Sequence, residues 1–314
     1  MFWDEAARIA KAKLHEEITE AIALERLTDL AKKNGKVRGI ATGDSFRRLV
    51  ARSLAQQLAQ DLDRACEPFQ YALSTRAGAD YLTRLLRFLP DRDPWATISV
   101  IDGIGAFDHV RRRRMLGKLC QVPSASAALP FVRLFYARTS TYMWWDADGV
   151  AHEIAQGEGG EQGDPLMPAL FALGQHEALV AARAQLQPDE FLGAYLDDVS
   201  LVTAPHRARA AFDAVAIALR DFAGIDTNLG KRRVWHRAGG AAPPGGRRGR
   251  GGWGRTSKPH AGSGGGGREE VGHSGPARRW CLRRHLPRRL AGRRRGTPGS
   301  SSSGRSDCPS RTPG

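Results

Sequence analysis

The chain has 314 residues, 41% of them apolar and 26% charged, with four cysteines and a net charge of +15. Cys66, Cys120, Cys281 and Cys308 show neither CxxC nor Cys/His spacing, which argues against a disulfide framework or a zinc site, and no apolar run approaches the length of a membrane span. The charge is lopsided: residues 1–236 hold 30 basic and 30 acidic residues, while residues 237–314 hold 17 Arg, 1 Lys and 3 acids and carry the entire excess.

From the N-terminus, residues 1–12 are short on apolar length and already charged, so no secretory signal is read and an intracellular protein is expected, nuclear or cytoplasmic. Residues 49–66 (LVARSLAQQLAQDLDRAC) carry apolar side chains at helical spacing, and residues 80–89 read as a second helix. Residues 96–102 (ATISVID) are a β-branched run bounded by Pro94 and Gly103, the pattern of a buried strand. Asp102 ends that strand, which places a carboxylate at the rim of a sheet. Gly103 to Asp108 (GIGAFD) continue with a slim backbone, the Phe107 ring and a second acid. The four-Arg run 111–114 opens the next helix and reads as a solvated face, with contact to nucleic acid as the alternative. Residues 132–145 shift from a helical to a strand pattern, with 139–145 reading as a strand and with Trp144 and Trp145 expected to pack rather than stack on bases.

Residues 161–168 (EQGDPLMP) lead into an apolar helical pattern from 169 to about 183, with Gly and Pro marking the helix entry. Gly163 would let a flat ligand approach the backbone closely. Residues 191–202 (FLGAYLDDVSLV) read as two short strands turning at Asp197 and Asp198. Two ionised carboxylates at a tight turn repel unless something positive lies between them, and hard cations such as Mg²⁺ prefer carboxylate oxygens. Residues 207–222 form an amphipathic helix suited to covering a sheet. Taken singly, each feature has a plain alternative: a solvated Asp-Asp turn, an ordinary strand-end Asp, a core Phe, a loop-to-helix junction.

Their order along one chain is more specific. A strand-end Asp with Phe five residues later, then Gln-Gly-x-Pro-Leu, then Tyr-x-Asp-Asp resembles the palm of a reverse transcriptase, most nearly that of non-LTR retrotransposons, with group II intron enzymes as cousins. Residues 99–110 (SVIDGIGAFDHV) resemble the first palm motif and residues 224–234 (GIDTNLGKRRV) the Asn-x-x-Lys motif. Upstream, residues 36–49 (KVRGIATGDSFRRL) resemble the basic fingers motif and residues 71–78 (YALSTRAG) the segment after it. The likeness covers roughly residues 25–236.

The resemblance implies an α+β fold, the fingers and palm of a right-hand polymerase, with a small antiparallel palm sheet packed on helices. Residues 1–95 would be the N-terminal and fingers segment and 96–236 the palm. The implied activity is RNA-directed DNA polymerisation on an RNA template with a DNA primer and dNTPs. Asp102, Asp197 and Asp198 would hold two ions, Mg²⁺ or Mn²⁺, with Asp102 and Asp197 bridging and the Gly103 carbonyl as a further candidate ligand. Phe107 occupies the sugar-gate position, favouring dNTPs. Lys36 and Arg38 match residues that grip the triphosphate, although a surface charge pair is an equal reading of these two. Gln162 and Gly163 would line the template–nucleotide platform, and Lys231 would stand near the pyrophosphate. Met167 departs from the family's Pro-Leu-Ser-Pro, which is expected to alter fit beside the platform.

In residues 237–314, Gly, Arg, Ser and Pro fill 54 of 78 positions, a composition too poor in apolar surface to order itself. Disorder is expected. The family pattern runs through Trp235 and then dissolves where a primer grip and helical thumb would follow, as an out-of-frame translation of a GC-rich gene would produce. An Arg/Gly RNA-binding tail and an inert linker are the other readings. Without a thumb, primer–template affinity and processivity should suffer more than chemistry, so the chain as written is expected to be weakly active or inactive despite its intact acidic triad. The alternative function is a non-catalytic RNA-binding remnant relying on the tail; metal dependence separates the two.

Overall fold

The computed structural model describes residues 2–31, 35, 37–237 and 247–248, all within the unit Met1–Ser257. The chain opens with helices α1 (Phe2–Ala10) and α2 (Glu16–Ala23), then strands β1 (Glu25–Ala31) and β2 (Val37–Thr42). Helices α3 (Ser45–Gln57), α4 (Ala59–Arg64) and α5 (Gly78–Arg92) lead to β3 (Thr97–Ile101). Next come α6 (Ala106–His109), α7 (Arg112–Cys120), α8 (Leu129–Tyr136), β4 (Ser140–Trp145) and β5 (Ala151–Gln156). The rest is α9 (Met167–Arg183), β6 (Phe191–Tyr195), β7 (Asp198–Thr203), α10 (Ala208–Ala218), β8 (Arg233–His236) and β9 (Arg247–Arg248).

The strands form two small sheets on helices. One has the order β6-β7-β3-β8-β9; it is antiparallel except for β9, which lies parallel to β8. β3 and β7 lie inside this sheet: Val199–Thr203 are buried throughout, and Thr97, Ser99 and Ile101 are buried on β3. The second sheet has the order β2-β1-β4-β5. The strand expected over residues 139–145 is here, as β4. β4 joins β1 in parallel, Glu25 opposite Tyr142, and hairpins with β5 instead of entering the sheet of Asp102. The hairpin turn is fixed by Asp146, whose Oδ1 accepts the amides of Asp148 (3.0 Å) and Val150 (2.9 Å), an Asx-type turn that stabilises the reversal.

Helix α9 threads the core. Its entry follows the sequence signal, with Pro168 in the first turn, where a missing N–H costs nothing. Leu170, Phe171, Leu173, Ala178 and Leu179 are buried on several faces, so this helix is apolar all round rather than amphipathic. At Gly174 an added Cβ would lie 2.7 Å from Val110 and 2.8 Å from Met115, so this glycine lets α7 and α9 touch. Burying a side chain such as Phe171 contributes about 1.5–3 kcal/mol. α10 covers the first sheet through Phe212 and Val215 and continues into a π-helical turn, Leu219–Ala223, closed by Gly224 at φ 77°.

No helix among the described residues is long and apolar enough to cross a membrane. Cys66 is buried and Cys120 exposed, both as free thiols. The disorder expected of residues 237–314 lies outside the described residues, apart from Arg237, which pairs with Asp91 at 3.0 Å, and the backbone of β9.

Candidate active site

The hairpin β6–β7 reverses through Leu196 and Asp197, with Tyr195 paired to Asp198. Leu196 takes a left-handed φ of 53°, which costs a non-glycine residue about 1–2 kcal/mol. The turn is braced from outside: the Leu196 amide donates to Gln70 Oε1 at 2.7 Å, and the Ala194 amide donates to the Phe69 carbonyl at 2.7 Å. Strain of this kind, held by its surroundings, concentrates at functional sites.

β7 pairs antiparallel with β3, Ile101 opposite Val199, so the next positions along, Asp102 and Asp198, meet at the same sheet end. Asp198 is exposed at the rim, yet its carboxyl is raised above the ordinary range, first by partial desolvation at the turn and then by the charges of Asp197 and Asp102; Arg233 and Lys231 oppose the rise. The segment 224–231 is stitched to this end of the sheet: the Ile104 amide donates to the Asp226 carbonyl (2.8 Å) and the Asn228 amide to the Asp102 carbonyl (2.7 Å). That brings the Lys231 ammonium to 2.9 Å from Asp102 Oδ2.

Among the described residues no three His, Cys, Asp or Glu side chains converge into a ready-made metal cage. As a donor set, however, the three aspartates fit a hard divalent cation: all ligands are oxygens, and a cation between them would relieve the repulsion of carboxylates gathered at one sheet end.

Phe107 lies on α6 directly after this sheet end, its ring stacked on Phe171 with centroids 4.3 Å apart and planes at 14°. The loop carrying Gln162 and Gly163 is tied to the same helix, the Gly160 amide donating to the Phe107 carbonyl at 2.9 Å and Gln156 Nε2 to the Asp108 carbonyl at 2.7 Å. Gln162 and Asp108 line a pocket whose other wall is Gly39 and Ala41 of β2. Gly163 is pressed against that strand, where an added Cβ would lie 2.6 Å from the Ala41 carbonyl. Arg38, beside Gly39, is exposed on β2; Lys36 lies outside the described residues. Met167 is fully buried behind the loop and packs on Gly160, which could not carry a Cβ beside its sulfur.

Neither a protein-family model nor a curated protein matches the sequence. The fold, by contrast, has solved counterparts. Apo telomerase from Candida tropicalis, truncated from its C-terminal domain, aligns with a TM-score of 0.53 at 12% identity over 71% of this chain and 52% of that one. Telomerase from Candida albicans in complex with the TWJ fragment of telomeric RNA gives 0.54 at 13% identity, over 73% of this chain and 44% of that one. The fold is reverse-transcriptase-like. This chain spans about half the length of those telomerases or less, and at such identities the likeness is one of fold.

Within this reverse-transcriptase-like fold, sequence reasoning missed one assembly. Arg47 on α3 is buried, 3% exposed, and pairs with Glu25 of β1; its Nη2 lies 3.5 Å from Glu161 Oε2 and 3.6 Å from Asp164 Oδ2. The Tyr136 hydroxyl donates to Asp164 Oδ2 at 2.7 Å, and Ser140 bridges Arg112 and Glu161 with two 2.8 Å bonds. Burial, followed by the charge of Glu161, pushes the Glu25 carboxyl up to about 8 despite Arg47. Burial likewise raises Asp164. Arg112 also corrects the solvated-face reading of the Arg run: it is buried, donating to the carbonyls of Gly159 (2.8 Å) and Arg138 (2.5 Å). The available signal was the pair of acids flanking Gln162 and Gly163, which in a buried loop require cations.

Proposed function

We propose that this chain is the fingers and palm of a retroelement reverse transcriptase, an RNA-directed DNA polymerase, with residues 1–95 as the fingers segment and 96–236 as the palm. The observation that carries the reading is the gathering of Asp102, Asp197 and Asp198 at one sheet end, set by the β3–β7 register and the β6–β7 turn. The reverse-transcriptase-like fold supports it, and the retroelement origin rests on the order of the sequence motifs.

Asp102, Asp197 and Asp198 would hold two divalent ions, Mg²⁺ or Mn²⁺, which when bound activate a primer 3′-OH and stabilise the departing pyrophosphate. Phe107, braced by Phe171, presents a fixed ring against a ribose 2′-OH. Gln162 and Gly163 form the template–nucleotide platform, facing β2; Arg38 of that strand and Lys36 would grip the triphosphate. Lys231, already beside Asp102, supplies positive charge or a proton where pyrophosphate leaves. RNA template, DNA primer and dNTPs are the partners; Candida albicans telomerase likewise was solved with RNA.

The test is incorporation of dTMP on an oligo(dT)-primed poly(rA) template. Incorporation that needs Mg²⁺ or Mn²⁺ and stops on chelation is expected; incorporation that ignores chelation would refute the proposal.

A further inference from the structure

The loop of residues 158–166 is short, rich in glycine and acids, and carries Gln162 and Gly163. A loop of this composition has little apolar surface with which to fix itself. Three arginines from two helices hold it instead. Arg112 Nε donates to the Gly159 carbonyl at 2.8 Å, Arg48 Nε to the Gly163 carbonyl at 3.2 Å, and Arg47 sits between Glu161 and Asp164 on one side and Glu25 on the other. Arg112 also reaches the start of β4 through Ser140, but only Arg47 of the three pairs with Glu25, which starts β1, whose hairpin partner β2 forms the opposite wall of the pocket. Its guanidinium also lies over the Phe135 ring, 4.1 Å from the centroid, which fixes the plane of the fork.

We propose that Arg47 is a positioning residue for nucleotide binding: by clamping the acidic loop to the start of β1, it sets the width of the pocket between Gln162 and β2. The inference rests on the reading of Gln162 and Gly163 as the nucleotide platform. Arg47 itself is sealed from the pocket and acts only through the loop. A planar fork can serve carboxylates on two sides at once, whereas a lysine ammonium serves as a point charge. Removing the charge altogether would leave buried carboxylates without a partner and unfold the region, so the informative variant is Arg47→Lys.

The experiment measures dNTP incorporation by the full chain as wild type, Arg47→Lys, Gln162→Ala and the double variant. Arg47→Lys should raise the KM for dNTP about 10-fold with kcat nearly kept, the mark of lost binding rather than lost chemistry. The double variant should be no worse than Gln162→Ala alone, because residues acting through one contact are not additive. An unchanged KM, or effects that multiply, would overturn the inference. Should the wild type give no Asp197-dependent incorporation, the functional reading falls and the clamp is judged by amide hydrogen exchange. Faster exchange in residues 158–166 of Arg47→Lys, with the β6–β7 hairpin unaltered, supports it; unaltered exchange in both overturns it.

Discussion

The Lys231 ammonium lies 2.9 Å from one carboxylate oxygen of Asp102 and 3.1 Å from the other. Lys231 is 64% exposed and Asp102 26%, so the pair contributes little to stability, about 0–1 kcal/mol. Its value lies in placing a cation at the acidic end of the sheet. Lys231→Ala is therefore expected to leave the thermal midpoint nearly unchanged while slowing nucleotide incorporation about 10²–10⁴-fold if the lysine gives a proton in the reaction. Single-turnover kinetics against a melting curve separates these effects. A large fall in midpoint with incorporation intact would contradict the assignment.

Phe107 is half-buried against Phe171. Phe107→Ala removes the ring that a ribose 2′-OH would strike, and a single pocket contact of this size is worth about 10- to 200-fold in discrimination. The ratio of kcat/KM for dNTP over NTP should fall by that amount. An unchanged ratio would make Phe107 a core residue and no more.

The acidic cluster has a pH signature. The Glu25 carboxyl stands at about 8 in the folded chain against an ordinary 4.5, so the folded state binds the extra proton between those values. Its contribution to stability is full below about 4.5 and is lost as pH rises through about 8, because the slope follows the difference in bound protons. Glu25→Gln keeps the uncharged form at every pH. Urea unfolding from pH 5 to 9 should show the wild type losing stability with rising pH more steeply than the variant; parallel curves would refute the shift.

Gly163→Ala puts a Cβ 2.6 Å from the Ala41 carbonyl. Relief requires the loop to back away from β2, an overpacking cost of about 1–3 kcal/mol. A fall in midpoint of about 2–4 °C per kcal/mol is expected for a domain of this size, together with weaker dNTP binding. A variant that keeps both would show that loop and strand are not pressed together.

Much of this arrangement was legible because its signals are local. Asp102 stands at the end of a β-branched run and Asp197 and Asp198 at a turn between two apolar runs; run boundaries and turn position alone put them at sheet ends. The Met167–Arg183 helix was announced by Gly163 and Pro168. What escaped depends on distant partners. The pattern of β4 says strand but not which sheet, and its neighbour β1 is an early segment paired in parallel. Arg112 looked solvated because its partners, backbone carbonyls, Ser140 and Glu161, lie far along the chain and leave no trace in a charge run. Arg47 and Glu25 are 22 positions apart, and nothing in the interval marks them as a pair.

The central claim is that Asp102, Asp197 and Asp198 drive metal-dependent DNA synthesis on RNA. The most direct measurement is extension of a DNA primer annealed to an RNA template, with dNTPs and Mg²⁺, by the full chain and by Asp197→Ala. Weak but Mg²⁺-dependent extension by the wild type and none by Asp197→Ala is the expected result. Extension that survives Asp197→Ala, or a wild type that binds the RNA without adding a nucleotide, would contradict it.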